Sequence, residues 1–401
     1  MSLNMASTMS AFKRLIFINS VTKLADLCIS AKTTLPWLLM QLGAPTWVVS
    51  LLVPIRESGS MLPQWWLKNA TNHIIARQNL WRFGASIQGI SLALIALLCW
   101  QTTHTLLGVG VLLSLGLFSL GRALCSLTMK EIQGELINKG QRGKLVGTAT
   151  SVSAALTFVV GTFLFYQQDN MSVTSVIMIV VVAAMLFMFA FILMGPLSIN
   201  LETQESSQNP FKLLKLVVEN KALKHLVISR SLALHAALVA PYFIGLSTSA
   251  EQQNSVQTIA LFLMASALAA LVSGYIWGVL SDKSAKRCIQ IALLLSCVAC
   301  GVFYLYLDNA SLGLNAFLFF LLSLGHAGIR VGRKTYILDI AEGEQRSQFV
   351  ASANTLVGIV LLVTGVIYAA IYAWINHYII LLMLVILGLA LLHSQYLSND
   401  K

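Results

Sequence analysis

The sequence predicts an all-helical protein that crosses a membrane many times. Three observations carry that prediction. Of 401 residues, 57% are hydrophobic and only 10% charged, with a mean hydropathy of +0.79, whereas a soluble chain has about a quarter of its residues charged. Apolar stretches of roughly the 20 residues that a membrane helix needs recur twelve times. They are also too long and too continuously apolar for barrel strands, and in hydrocarbon every backbone N–H and C=O must be satisfied internally, which leaves helices. The segments fall at roughly 15–39, 46–66, 80–101, 106–129, 143–166, 172–195, 222–247, 255–280, 288–307, 312–336, 347–371 and 377–396.

The formal net charge of +11 raises the question of a nucleic-acid partner, and the distribution of the basic residues answers it. The segments joining helices on one side ("QLGAPT", "QTTHT", "QQDN", "STSAEQQNS", "LDNASLG", "WINH") contain no Lys or Arg. The opposite side collects Lys68, Arg77, Arg82, Lys139, Arg142, Lys144, Lys283, Lys286, Arg287, Arg333, Lys334 and Arg346. This positive-inside pattern puts both termini in the cytoplasm, in the manner of a bacterial inner-membrane protein. The charge orients the chain, and no soluble basic face offers itself to nucleic acid. Six cysteines, Cys28, Cys99, Cys125, Cys288, Cys297 and Cys300, all lie within or at the ends of helices. Free thiols are expected, with neither a disulfide framework nor a metal site. Lys13 and Arg14 precede the first apolar stretch as in a signal peptide, but Lys23 and Asp26 interrupt it and no small-residue cleavage site follows, so an uncleaved first helix is expected.

The longest non-apolar stretch, residues 198–221, divides the chain into an N-terminal bundle, 1–197, and a C-terminal bundle, 222–401. Asn209-Pro210 reads as a helix start within it. Lys212, Lys215 and Glu219 fall on one face and Phe211, Leu214 and Val218 are apolar, which predicts a short amphipathic helix on the inner membrane surface. An internal repeat supports the division. At an offset of 204 residues, "SLGRA" at 119–123 lies on "SLGHA" at 323–327, Lys130 on Lys334, Gln141-Arg142 on Gln345-Arg346 and Gly161 on Gly365, without a gap. Helices four and five are thus the counterparts of ten and eleven, a parallel repeat about an axis along the membrane normal.

Residues 278–287, "GVLSDKSAKR", follow helix eight. They resemble the loop signature of the major facilitator superfamily, with Gly278, Leu280, Asp282, Lys283, Lys286 and Arg287 matching and Ala285 standing where the pattern has Gly. The counterpart between helices two and three, "WLKNATNHIIAR", lacks the acid. Twelve helices, a central linker and the parallel repeat extend the resemblance over the whole chain. It implies two six-helix bundles related by a pseudo-two-fold axis and a secondary transporter whose halves rock about a central site. It also implies a cytoplasmic gate at Gly278, Asp282, Lys283 and Arg287, in which the carboxylate meets a helix N-terminus and basic residues. A solvated turn is the simpler alternative.

Charges inside the apolar segments cost about 2.5–3.5 kcal/mol each at mid-bilayer, so pairing, hydration or function must keep them there. The deep set is Lys23, Asp26 and Lys32 in helix one, Arg56 and Glu57 in helix two, and Arg122 in helix four. Arg230 and His235 in helix seven and His326 and Arg330 in helix ten complete it. Within "LLVPIRESGSMLPQWW", Arg56 and Glu57 sit about 15 Å into helix two at 1.5 Å per residue, and adjacent residues point about 100° apart. The two therefore need other partners, Asp26 for Arg56 and Lys23 or Lys32 for Glu57. Pro54 and Pro63 loosen the helix around the pair, and Gly59 admits a neighbouring helix. A polar substrate wall and a packing ion-pair cluster are the two readings of this set. The resemblance implies a substrate or coupling role for Arg122, while the histidines read as hydrogen-bonded lining. Trp37, Trp65, Trp66 and Trp374 read as interfacial anchors.

Cations outnumber acids among these positions, which favours an organic anion or a carboxylate-bearing zwitterion, with Asp26 or Glu57 taking up a coupling proton. Candidate substrate-binding or coupling residues are Lys23, Asp26, Lys32, Arg56, Glu57, Arg122, His235, His326 and Arg330. The expected partners of a monomeric transporter are a small molecule, a proton and the bilayer, with no cofactor. A drug or metabolite exporter of the same fold is the alternative, although the Gly-Pro run of family antiporters is missing from helix five, "GTATSVSAALTFVVGTFLFY". A non-transporting receptor or assembly factor is a further one. No Gly-x-Ser-x-Gly elbow or acyltransferase-like His/Asp pair suggests an enzyme.

Overall fold

The computed structural model describes residues 5–71, 74–101, 104–137, 141–167, 169, 172–197, 210–247, 256–307, 311–340 and 345–398. The linker residues 198–209, the loop 248–255, Lys139 and the side chains of Trp65, Lys68 and Arg346 lie outside them. The described residues form seventeen helices and no β-strand. They are α1 Met5–Cys28, α2 Thr34–Gln41, α3 Thr46–Met61, α4 Gln64–Thr71, α5 Arg77–Gln101, α6 His104–Leu136, α7 Arg142–Tyr166, α8 Val173–Met194 and α9 Pro210–Glu219. The second half contributes α10 Lys221–Ala233, α11 His235–Leu238, α12 Ala240–Ser247, α13 Val256–Lys283, α14 Ala285–Leu305, α15 Leu312–Ile340, α16 Gln345–Ile375 and α17 Tyr378–His393.

Among the described residues, ten spans are long and apolar enough to cross a membrane, counting α10 to α12 as one. The two remaining expected spans, 15–39 and 46–66, are the ones that carry deep charges, and both are divided. The first breaks between Cys28 and Thr34. Pro36, two residues into α2, has no N–H for the carbonyl of Lys32 and its ring clashes there, so a continuous helix through 32–36 is unfavourable. The break closes on Ser30, whose carbonyl accepts from Thr33 N–H at 3.3 Å and Leu35 N–H at 3.1 Å. The second ends at Met61, ahead of Pro63, and resumes at Gln64, whereas α3 continues through Pro54. Helix seven is interrupted in the same way, at Leu234 and Val239, just ahead of Pro241. At the 204-residue offset the first break maps onto the start of the interruptions in helix seven.

Capping fixes several helix starts. Asn220 Oδ1 accepts from Leu223 N–H at 2.9 Å at the head of α10, and Ser284 Oγ accepts from Arg287 N–H at 3.2 Å at the head of α14. Such caps satisfy amides that have no partner in the first helical turn. The linker helix forms over Pro210–Glu219 with a Lys215–Glu219 ion pair at 3.6 Å. Its buried side differs from expectation, since Val217 is buried and Val218 is 68% exposed. The cause is contact with α10 and α16, which the periodicity of an isolated helix does not reveal.

In the first half, α5 packs against α6 and α8, α1 against α7 and α8, and α3 against α6. In the second, α15 packs against α13 and α14, and α17 against α14 and α10. Two long contacts join the halves, α7 with α13 and α3 with α16. The repeat-related glycines sit in them. A Cβ on Gly161 of α7 would lie 2.6 Å from Met264 Cγ and 3.2 Å from the Ala260 carbonyl of α13, and one on Gly365 of α16 would collide with Pro54 of α3. Bare backbone at these positions lets the helices of opposite halves approach. At one end of the bundle Gly245 of α12 also rests on Met40 of α2.

Trp37 departs from the anchor role expected of it. It is 1% exposed in the core, whereas Trp66 and Trp374 are 59% and 88% exposed. The helix break turns α2 and its tryptophan inward. All six cysteines are free thiols. Gly365→Ala is expected to destabilise the folded protein by about 1–3 kcal/mol through overpacking against Pro54. Gly134→Ala, where a Cβ meets nothing within 4 Å, should change little. Thermal unfolding midpoints of the two purified variants check this.

Candidate functional site

Asp26, near the end of α1, is the hub of the polar cluster in the first half. Arg56 Nη2 of α3 donates to Asp26 Oδ1 at 2.9 Å and to the Asp26 carbonyl at 3.3 Å. Arg122 Nη1 of α6 reaches the same Oδ1 at 3.5 Å. One carboxylate thus ties three helices. The Arg56 side chain is 8% exposed and lies over the Phe118 ring at 5.9 Å, while Asp26 and Arg122 are 25% and 30% exposed. Arg56 Nε is buried with no partner among the described residues. Gly59, one turn beyond Arg56, allows the approach to α6, because a Cβ there would lie 2.7 Å from Ser119 Cβ.

The expected Arg56–Asp26 pairing is therefore present, but Glu57 behaves otherwise. Lys23 turns away from it to donate to the Val146 carbonyl at 3.0 Å and to Thr150 Oγ1 on α7. The sequence could not separate Lys23 from Lys32 because the break after Cys28 sends the two in different directions. Lys32, in that break, is the one that interacts electrostatically with Glu57. Glu57 makes no ion pair within 4 Å among the described residues, yet it lies in the fields of Arg56, Lys32, Arg122 and Arg330, and of Arg230 and Arg333. Six cations from both halves converge on one acid.

On the second-half side, His326 of α15 occupies the position equivalent to Arg122 at the 204-residue offset and faces Lys32, Arg330 and Arg333 electrostatically. Its Nδ1 is buried without a hydrogen bond among the described residues, which departs from the expected lining role. Its neighbours there are cations that offer no acceptor. His235, in contrast, is hydrogen-bonded at both ring nitrogens, to the Leu232 carbonyl at 2.8 Å and to the Tyr368 hydroxyl of α16. Arg230 Nη2 approaches Met61 Sδ of α3 at 3.7 Å, a contact between the halves. Arg333 is the residue that sequence reading misassigned, to the basic inner surface. It follows Arg330 by three positions on α15, a spacing that shares a helix face and could have identified it. Lys334 faces Lys130 of α6 in addition to Lys23, Arg330 and Arg333, so the repeat-related lysines oppose each other across the halves.

The gate candidates lie apart from this cluster. Asp282 and Lys283 close the last turn of α13, with Gly278 one turn earlier, and Ser284 alone separates α13 from α14. Asp282, Lys283 and Arg287 are exposed, and Asp282 makes no ion pair among the described residues. No group of three or more His, Cys, Asp or Glu side chains fit to hold a metal ion occurs among the described residues.

This arrangement agrees with the comparisons to known proteins. Residues 231–398 match the family model of the Major Facilitator Superfamily. The fold is shared with the nucleoside transporter NupG, at 11% identity and a TM-score of 0.74 over 96% of this chain and 99% of that one. It is similarly shared with a POT family transporter in complex with 5-aminolevulinic acid, at 11% identity and a TM-score of 0.74 over 96% and 94%. An inward-facing bacterial homologue of the iron transporter ferroportin, 15% identical, superposes with a TM-score of 0.66 over 97% and 99%. No curated protein sequence matches the chain. The protein is an integral membrane protein with the transporter fold of the major facilitator superfamily, and these likenesses point to a transporter rather than an enzyme.

Removing Asp26 leaves two partly buried guanidinium groups facing each other without their shared anion. Asp26→Asn is expected to cost about 3–5 kcal/mol, and Asp26→Leu combined with Arg56→Met to recover most of that loss, as apolar replacement of a buried pair commonly does. Thermal unfolding of the single and double variants in one detergent gives the comparison.

Proposed function

We propose that this protein is a proton-coupled secondary transporter of an organic anion or a carboxylate-bearing zwitterion. The observation that carries the reading is the convergence of Lys32, Arg56, Arg122, Arg230, Arg330 and Arg333 on Glu57 from both halves. In the first half Asp26 offsets part of the positive charge. In the second half, Arg230, Arg330 and Arg333 have no deep acid of their own, so an anion between the halves would complete their electrostatics. Arginine suits a carboxylate because its planar fork donates two parallel hydrogen bonds. Binding there would draw both halves onto one ligand, the condition for alternating access by rocking of 1–197 against 222–401.

Glu57 is the proposed coupling group. It has no direct ion pair to hold it ionised, and the same cations would be shared with a bound anion. Asp26, held by two arginines, is the structural acid. Asp282, Lys283 and Arg287 near Gly278 form the proposed gate on the cytoplasmic side, in a monomer with both termini cytoplasmic in a bacterial inner membrane.

Metabolites graded by charge provide the test. Carboxylates should raise the unfolding midpoint of the wild type, by mass action worth about 2.7 kcal/mol at a hundredfold excess over Kd. Arg330→Gln should lose that shift while unfolding normally without ligand. Stabilisation by neutral or cationic compounds alone would overturn the substrate class. In proteoliposomes, Glu57→Gln should abolish uptake driven by a pH gradient and retain exchange of substrate across the membrane. Unchanged gradient-driven uptake would remove Glu57 from coupling.

A further inference from the structure

A groove of about 730 Å³ lies on the flank of the first half, between α5 and α8, remote from the charged cluster. Gly89, Ala93, Leu97 and Trp100 from α5 and Met188 and Ile192 from α8 are among its walls. On α5 these positions follow Arg82 and Ser86 at helical spacing, so one stripe runs from a cation to a tryptophan. Small residues keep the stripe shallow, and Trp100 is 59% exposed at its far end. The volume falls within the range of ligand pockets, roughly 300–1,000 Å³.

Arg82 closes the other end. Its Nε donates to the Phe191 carbonyl at 3.2 Å, and its guanidinium carbon lies 4.2 Å from the centre of the Phe191 ring. These two contacts fix the plane of the side chain. They leave both Nη groups without a partner among the described residues, and Arg82 makes no ion pair there. Capping of the α8 C-terminus explains the Nε bond alone. The groove between Ile177 and Ile192 of α8 extends fifteen residues, about 22 Å at 1.5 Å per residue. That exceeds the half-thickness of the hydrocarbon core, about 15 Å.

We infer that this groove binds an anionic phospholipid, with its phosphate on the Arg82 Nη groups and one acyl chain lying along Met188, Gly89 and Ala93. A neutral-headgroup lipid supplies the chain but loses net charge complementarity. Inorganic phosphate supplies the charge but nothing for the groove.

Native mass spectrometry of the detergent-solubilised protein tests this, with phosphatidylglycerol, phosphatidylcholine and inorganic phosphate as probes. Phosphatidylglycerol should be retained about tenfold more strongly than phosphatidylcholine, the scale of a charge-assisted hydrogen bond. Arg82→Gln should reduce it to the phosphatidylcholine level. Equal retention of the two lipids by the wild type, or unchanged preference in Arg82→Gln, overturns the site. Displacement of phosphatidylglycerol by inorganic phosphate overturns the lipid assignment. Should Arg82→Gln fail to fold, Ala93→Phe, which fills the groove and leaves Arg82 intact, decides. Weaker retention of phosphatidylglycerol supports the site, and undiminished retention rejects it.

Discussion

The Asp26 carboxylate is the constraint on which the first half depends. Arg56 and Arg122 come from different helices and both meet the same oxygen, Asp26 Oδ1. Without an acid between them, two cations in a poorly solvated region would repel, and each would pay its own desolvation. Their shared partner fixes the rotation of α1, α3 and α6 together. Once α3 is held in this way, Glu57, one residue on, is turned about 100° away from the pair and toward the second half. The structural anion and the free anion are therefore adjacent in sequence but divided in role.

The interrupted helices extend the same logic. Pro36 and Pro241 follow breaks in the first helix of each half, at related positions in the repeat. Non-helical backbone is tolerated at membrane depth where it is buried in protein or lines a polar space. The break after Cys28 releases Lys32 toward Glu57 and leaves Lys23 on α7, so two lysines nine residues apart serve different surroundings. The repeat is symmetric in backbone and asymmetric in charge. Arg122 and His326 occupy equivalent positions, and the second half then adds Arg330 and Arg333 without a neighbouring deep acid. Net positive charge accumulates on the side that faces Glu57.

Gly161 and Gly365 form the complementary, apolar part of the interface. They are related by the repeat, and each places backbone against a helix of the opposite half, α13 or α3. Close backbone approach gives dispersion contact without long side chains that would interlock, which is suited to halves that move against each other. Repulsion between Lys130 and Lys334, also repeat-related, acts across the same division. Attraction along the helix contacts and repulsion between these lysines thus come from one duplicated pattern.

Composition and run length determined the helical class, because hydrocarbon leaves a chain so few ways to satisfy its backbone. The repeat was legible for a related reason, since charged and glycine matches are scarce in so apolar a sequence. The Arg56–Asp26 pair was also accessible, because a short connection between two helices and opposite charges at similar depth leave few alternatives. Only the tertiary structure decided the rest. Pro36 breaks a helix that hydropathy alone reads as continuous, and that break selected Lys32 over Lys23 and buried Trp37. Arg333 joined the cluster because the rotation of α15 is set by its neighbours, and Val217 rather than Val218 faced inward for the same reason. Hydropathy measures how apolar a segment is, averaged along the chain. Rotation and breakage depend on what each helix meets, and that is a property of the packed bundle.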